Sequence, residues 1–161
     1  MGSGKSTLGK KLAAKLNRPF FDLDAELEKA ASMPVSAIFD QLGEVHFREM
    51  EQQLLRKLTA GNQEFVMALG GGTPCFYDNM AFINESGVSI YLKYNAGMLY
   101  SRLKSAKASR PLLSGKPDKD LEEYIVEKLA EREPVYGQSK LIVEDVNLSA
   151  EKVIVLLEEL V

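Results

Sequence analysis

Gly2-Ser3-Gly4-Lys5-Ser6-Thr7 is a run built for holding phosphate. In the pattern of a glycine, four residues and then Gly-Lys-Ser/Thr, successive backbone N–H groups wrap the phosphates, the lysine reaches the outer ones and the hydroxyl ligates magnesium. Gly4, Lys5 and Ser6 take the last three places, so the pattern's first glycine falls before Met1. A glycine-rich terminal tail is the competing reading of the same residues. The downstream leucines favour the loop. Leu8, Leu12 and Leu16 recur every four residues with Ala13 beside them, giving a helix from Lys5 to about Asn17 one apolar face. First-turn amides of a helix have no intrahelical partners and sit at the positive end of its dipole, so the junction is an anion site. A nucleoside triphosphate is the ligand this chemistry suits.

A loop of this kind needs a scaffold, and the hydrophobic pattern supplies one. Pro19-Phe20-Phe21 leads into Asp22-Leu23-Asp24, a short apolar strand ending in carboxylates, with Asp24 placed to cap a helix through Ala31. A brief helix over about Val35 to Leu42 is stopped by Gly43, and a longer one from about Glu44 to Ala60 carries Phe47, Met50, Leu54, Leu55 and Leu58 on one stripe. Phe65 to Leu69 reads as a strand and runs straight into Gly70-Gly71-Gly72; Val88 to Leu92 is another strand and Ala96 to Leu103 a helix. Lys104 to Lys119 is basic and shows no period. A helix from about Leu121 to Tyr136, a strand from Leu141 to Glu144 and a terminal helix capped by Ser149 complete the order.

Strand and helix alternate throughout, which predicts an α/β fold: a parallel sheet with helices on both faces. Ligands in such sheets gather at the carboxyl ends of the strands. The phosphate loop, Asp22/Asp24 and Gly70 to Gly72 all lie at such ends, so one shared site is expected. A phosphate loop also hangs from the end of a buried strand, and this strand would have to precede Met1. Without it, two neighbouring strands lose a hydrogen-bond partner. The expectation is therefore that Met1 is an internal methionine or that an N-terminal segment is missing.

With 161 residues, 45% of them hydrophobic, the chain suits a single domain over residues 1–161. Its lone Cys75 can form no internal disulfide, and no apolar stretch approaches the roughly 20 residues of a membrane span. A cytoplasmic setting without membrane contact is the resulting expectation. A net charge of −3 offers no basic footprint for nucleic acid.

Taken in order, Asp22-x-Asp24 after a strand, Phe47-Arg48-x-x-Glu51 on a helix, Gly70-Gly71-Gly72 after a strand, Arg110-Pro111-Leu112 in an aperiodic segment and Arg132 near Tyr136 resemble the shikimate kinases. The resemblance runs from Met1 to the terminal helix. It implies a P-loop kinase-like fold with a mobile lid over about 104–119, acting as a monomer with ATP and Mg²⁺. The implied reaction is phosphorylation of the 3-hydroxyl of shikimate to shikimate 3-phosphate, on the route to chorismate and the aromatic amino acids. By the same resemblance Gly2, Ser3, Gly4, Lys5, Ser6 and Thr7 would cradle the nucleotide phosphates, with Lys5 on the β- and γ-phosphates. Ser6 and Asp22 would hold the metal, and Asp24 would accept the hydrogen bond of the attacking hydroxyl.

Arg48, steadied by Glu51 three residues on, would grip the substrate carboxylate together with Arg132. Gly70, Gly71 and Gly72 would let the backbone approach the substrate. Arg102 would stack near the adenine, and Arg110 would close onto the transferring phosphate. Each residue also has a plainer local reading: capping for Asp24, a solvent-facing pair for Arg48/Glu51, a turn for the glycines, solvated charges for Arg102, Arg110 and Arg132. The family's adenine loop often offers an arginine and a proline where this chain has Val146-Asn147-Leu148-Ser149-Ala150, so adenine contacts there stay unassigned. Gluconate-type and nucleoside-monophosphate kinases share the loop and the alternating order, and a nucleotide-binding module without turnover is a third possibility. Arg48 with Glu51, followed by the triple glycine, favours a compact carboxylated cyclic acceptor.

Overall fold

The computed structural model describes residues 2–106 and 118–160. Helix α1 (Lys5–Leu16) springs from the phosphate loop and ends where Asn17 turns left-handed at φ 51°. Strand β1 (Phe20–Asp22) passes without a loop into α2 (Leu23–Ala31). Helix α3 (Val35–Gly61) comes next as one run bent at Gly43, whose φ of 80° and ψ of 165° belong to a region nearly closed to side-chain-bearing residues. The helix expected to stop at Gly43 does so: non-helical backbone there separates two helices across a kink. After β2 (Val66–Ala68) come a 3₁₀ turn over Thr73–Cys75 and α4 (Asn79–Ser86). Strand β3 (Ile90–Leu92), α5 (Ala96–Ala106), α6 (Asp118–Tyr136), β4 (Leu141–Val143) and α7 (Ala150–Glu158) complete the order. Lys104 therefore lies in a helix, not in an aperiodic segment, and so does Asp118.

The strands pair in parallel as the alternating order requires. β1 lies beside β2 with Phe20 opposite Val66 and Asp22 opposite Ala68. β3 lies beside β4 with Ile90 opposite Leu141. Among the described residues these are two separate two-stranded sheets. β2 and β3 face each other not through a hydrogen-bond ladder but across an apolar cleft of about 560 Å³, bounded also by Leu12 of α1 and Val153 of α7.

Apolar packing explains what holds each half. Leu23 and Leu27 of α2 bury against Ile38, Phe47 and Leu55 of α3. Leu99 and Leu103 of α5 bury against Leu121 and Ile125 of α6. Leu12 packs with Ala150 and Val153, tying α1 to α7. Val66 of β2 and Ile90 of β3 both pack against this third cluster, so the halves share it; each fully buried leucine or isoleucine contributes about 2 kcal/mol of transfer free energy.

Candidate active site

Gly2 and Gly4 stand at φ 66° and 81°, left-handed backbone that suits glycine, and they curl the chain around Ser3 into the start of α1. Gly4 caps the helix without a side-chain hydrogen bond, and the first turn holds no acidic residue. The amides at this helix start therefore meet no side chain of their own and stay available to an anion. Arg102 is fixed to the loop: its Nη1 donates to the Ser3 carbonyl at 3.0 Å. Its guanidinium lies over the Tyr94 ring, 4.5 Å from the centroid.

Opposite the loop stands the end of β1. Ser6 Oγ donates to Asp22 Oδ2 at 2.5 Å, bringing together the two oxygens proposed for a metal. Asp22, not Asp24, occupies the N-cap of α2, and it makes no capping hydrogen bond because its carboxylate turns to Ser6. Asp24 falls in the first helical turn instead, which removes the capping reading and leaves its carboxylate free to face the site. Burial raises its pKa; Lys5 and Arg48 oppose that rise, while Asp22 and Glu28 add to it. Asp24 thus lies within electrostatic reach of the phosphate-loop lysine and of the arginine on α3.

Arg48 and Glu51 are 8% and 1% exposed, so the plain reading of a solvent-facing pair is wrong. Arg48 Nη1 donates to Glu51 Oε2 at 2.8 Å. Its guanidinium carbon sits 4.1 Å from the Phe76 ring centroid, 5.1 Å from that of Phe47 and 5.8 Å from that of Phe39. Three rings and a carboxylate confine the group, yet its Nε–H has no partner among the described residues. A buried arginine with an unsatisfied donor is costly to keep unless something is to bind it.

The triple glycine supplies the facing wall. A Cβ at Gly70 would lie 2.9 Å from Asp24 Oδ1 and 3.1 Å from Glu51 Oε1; one at Gly72 would lie 2.5 Å from Arg48 Nη2. At both positions the room that a side chain would need is already taken by the site's own charged groups, a reason for glycine beyond clearance for substrate. Tyr136 Oη donates to the Gly71 carbonyl, fastening the end of α6 to this loop.

Burial pushes the Tyr136 pKa up, and the nearby charges of Arg132 and Arg48 push it down. The Cys75 thiol is likewise pushed up by burial and held back by both arginines. Tyr136, one helical turn after Arg132, is tied to Gly71, and Arg48 lies against Gly72, so the two arginines flank the glycine loop. Glu131, a possible surface partner of Arg132, is engaged by Lys128 at 2.6 Å. Arg110 lies outside the described residues. Sequence reasoning missed Phe39, Phe76 and Thr73, whose hydroxyl donates to Glu51 Oε1 at 2.5 Å; only the threonine directly after the glycines was a signal that could have been followed.

A family profile described as shikimate kinase matches residues 1–160. This chain belongs to the shikimate kinase family. The shikimate kinase of Bacteroides thetaiotaomicron is 44% identical over 142 residues, covering 88% of this chain and 81% of that protein. That of Flavobacterium psychrophilum is 39% identical over 148 residues, covering 90% of this chain and 86% of the other. Among solved structures, the Bacteroides thetaiotaomicron shikimate kinase superposes with a TM-score of 0.85 at 40% identity, over 99% of this chain and 93% of that one. The shikimate kinase of Acinetobacter baumannii in complex with shikimate gives 0.81 at 30% identity, over 99% and 87%. The chain is thereby a kinase of the shikimate kinase type, with ATP as the nucleotide substrate of its family. Among the described residues no helix is long and apolar enough to cross a membrane.

Proposed function

We propose that this chain transfers the γ-phosphoryl group of ATP to the 3-hydroxyl of shikimate, yielding shikimate 3-phosphate for aromatic amino acid biosynthesis. One observation supports the assignment of roles: a Cβ at Gly70 would lie 2.9 Å from Asp24 Oδ1 and 3.1 Å from Glu51 Oε1, and Asp22, two residues before Asp24, accepts from Ser6 of the phosphate loop, so cradle and acid pocket are read as one space. Lys5 and the loop amides hold the β- and γ-phosphates. Arg48, held by Glu51 through Nη1 and by Glu44 through Nη2, offers its guanidinium to the ring carboxylate, and Arg132 reaches the same group from α6. Gripped at that end, the acceptor turns its hydroxyl toward Asp24, which takes the hydrogen bond and, late in the transfer, the proton. Orientation accounts for most of the rate, since phosphoryl transfer asks chiefly for positioning and charge neutralisation.

Ser6 Oγ and Asp22 Oδ2, 2.5 Å apart, form a hard oxygen pair that fits Mg²⁺, whose other positions phosphate and water oxygens would fill. Bound there, the ion neutralises charge on the β- and γ-phosphates. The proposal extends to a monomer acting in the cytoplasm; sedimentation of the purified chain tests the first part.

Coupled ADP release, measured with shikimate, quinate, gluconate and nucleoside monophosphates as acceptors, tests the reading. Turnover strongest with shikimate is expected. A clear preference for any other acceptor, or ATP binding with no acceptor-dependent ADP release, overturns it.

A further inference from the structure

Glu51 presents its two carboxylate oxygens to different donors. Oε2 receives Arg48 Nη1 at 2.8 Å, and Oε1 receives the Thr73 hydroxyl at 2.5 Å. Thr73 is itself fixed: its carbonyl accepts from Asn79 Nδ2 at 2.9 Å, and Asn79 Oδ1 accepts from Arg56 Nη1 at 3.3 Å. Thr73 and Asn79 are both 0% exposed. A hydrogen-bonded strut therefore runs from Arg56 on α3, through the first residue of α4 and the 3₁₀ turn, back to α3 at Glu51 and on to Arg48. The turn is pinned at both ends, because the Thr73 amide also donates to the Gly70 carbonyl at 3.1 Å.

The Arg48–Glu51 bond alone does not set the direction of the guanidinium. A carboxylate held by one donor can swing about its terminal torsion, which is broad and nearly two-fold, and the arginine swings with it. A second donor on the other oxygen removes that freedom. Leaving the oxygen buried and unmatched instead carries the desolvation cost of a charged acceptor. Thr73 is the group that supplies this donor, and Asn79 is the group that keeps Thr73 in place.

We propose that Thr73, anchored by Asn79, is a positioning residue for the acid substrate: it orients Glu51, and through Glu51 the Arg48 guanidinium. The inference rests on the reading that Arg48 grips the shikimate carboxylate. Thr73→Val keeps the shape and deletes the hydroxyl. It raises KM for shikimate by roughly tenfold or more, the range for a lost hydrogen bond to a charged group, and leaves KM for ATP unchanged and kcat nearly so. Thr73→Ser restores the wild-type KM.

Two comparisons separate this role from a merely structural one. The penalty of Thr73→Val vanishes in an Arg48→Ala background, and it vanishes with shikimate methyl ester as acceptor, because in both the charge pair that Thr73 serves is gone. Should Thr73→Val not fold, as judged by circular dichroism, Asn79→Ala is read in the same way; it frees the turn from α4 and raises the same KM. An undiminished penalty in the Arg48→Ala background, or an unchanged shikimate KM in a folded variant, overturns the proposal. If Arg48→Ala itself leaves the shikimate KM unchanged, the underlying reading of Arg48 fails instead.

Discussion

Gly72→Ala tests the geometry of the acid pocket with a single methyl group. Gly72 has φ −86° and ψ −22°, ordinary right-handed backbone, so alanine adopts it without strain. At such a position the substitution by itself stabilises a fold by about 0.4–1 kcal/mol through the unfolded chain. The methyl, however, would stand 2.5 Å from Arg48 Nη2, 2.6 Å from Nη1 and 2.8 Å from the guanidinium carbon. Moving Nη2 from 2.5 Å to 3.4 Å, where ordinary contact begins, displaces the guanidinium by about 0.9 Å. Phe76 on its face and the 2.8 Å bond to Glu51 leave it no room to yield without breaking that bond or turning out of the pocket.

A misplacement on the order of 1 Å in a positioning group costs on the order of 10²-fold. The expected outcome is a shikimate KM raised about a hundredfold with kcat and the ATP KM little changed, read by coupled ADP release at saturating ATP. Thermal unfolding of the variant is read alongside, so that the loss is assigned to the pocket and not to the fold. A folded Gly72→Ala enzyme whose shikimate KM stays within about a factor of two of wild type refutes the reasoning, since Arg48 would then tolerate the shift or play no part in binding.

Gly70→Ala places its methyl 2.9 Å from Asp24 Oδ1 and 3.1 Å from Glu51 Oε1 and Thr73 Oγ1, so it lowers kcat as well as raising the shikimate KM, which the same kinetic runs check. Asp24→Asn lowers kcat by roughly 10²- to 10⁴-fold, the usual worth of a positioned acid–base group. Because burial raises the Asp24 pKa, the acid limb of the free enzyme's pH–rate profile lies above the ordinary 3.8. A carboxyl with a raised folded pKa favours the fold below its unfolded value, and that contribution is lost as pH rises through the folded one. Asp24→Asn therefore raises Tm at neutral pH while removing activity, and a lowered Tm refutes the burial argument. Arg110→Ala slows turnover with little change in the shikimate KM; an unchanged maximal rate removes Arg110 from the transfer step.

Periodicity made much of the scaffold legible. Leu8, Leu12 and Leu16 mark α1, Ser149 marks the start of α7 with its hydroxyl accepting from Lys152 N, and the order of strands and helices implies parallel pairing. The helix α4 escaped notice because it is only 8 residues long and Asp78, at its N-cap, spends its carboxylate on Arg56 and Gln52. In the site, the i,i+3 spacing of Arg48 and Glu51 was readable but their burial was not. The rings that cover Arg48 come from positions 39, 47 and 76, and no local pattern records that they meet. Asp22 and Asp24 show a different limit: either acid could be read as the cap of α2, yet Asp22 stands at that position with its carboxylate on Ser6 and Asp24 lies inside the first turn.

The proposed acid pocket draws its residues from elements on both strand pairs. Arg48, Glu51 and the triple glycine belong to the half built on β1 and β2, whereas Arg132 and Tyr136 ride on α6, packed against α5 in the other. Across that seam the Tyr136 hydroxyl reaches the Gly71 carbonyl, and Asn84 Nδ2 reaches the Gln138 carbonyl at 2.9 Å. On the proposed reading, a carboxylate gripped by both arginines would tie together elements from the two strand pairs. Shikimate at about 100 times its Kd would then stabilise the folded chain by about 2.7 kcal/mol, and amide exchange is expected to slow in α3 and α6 together.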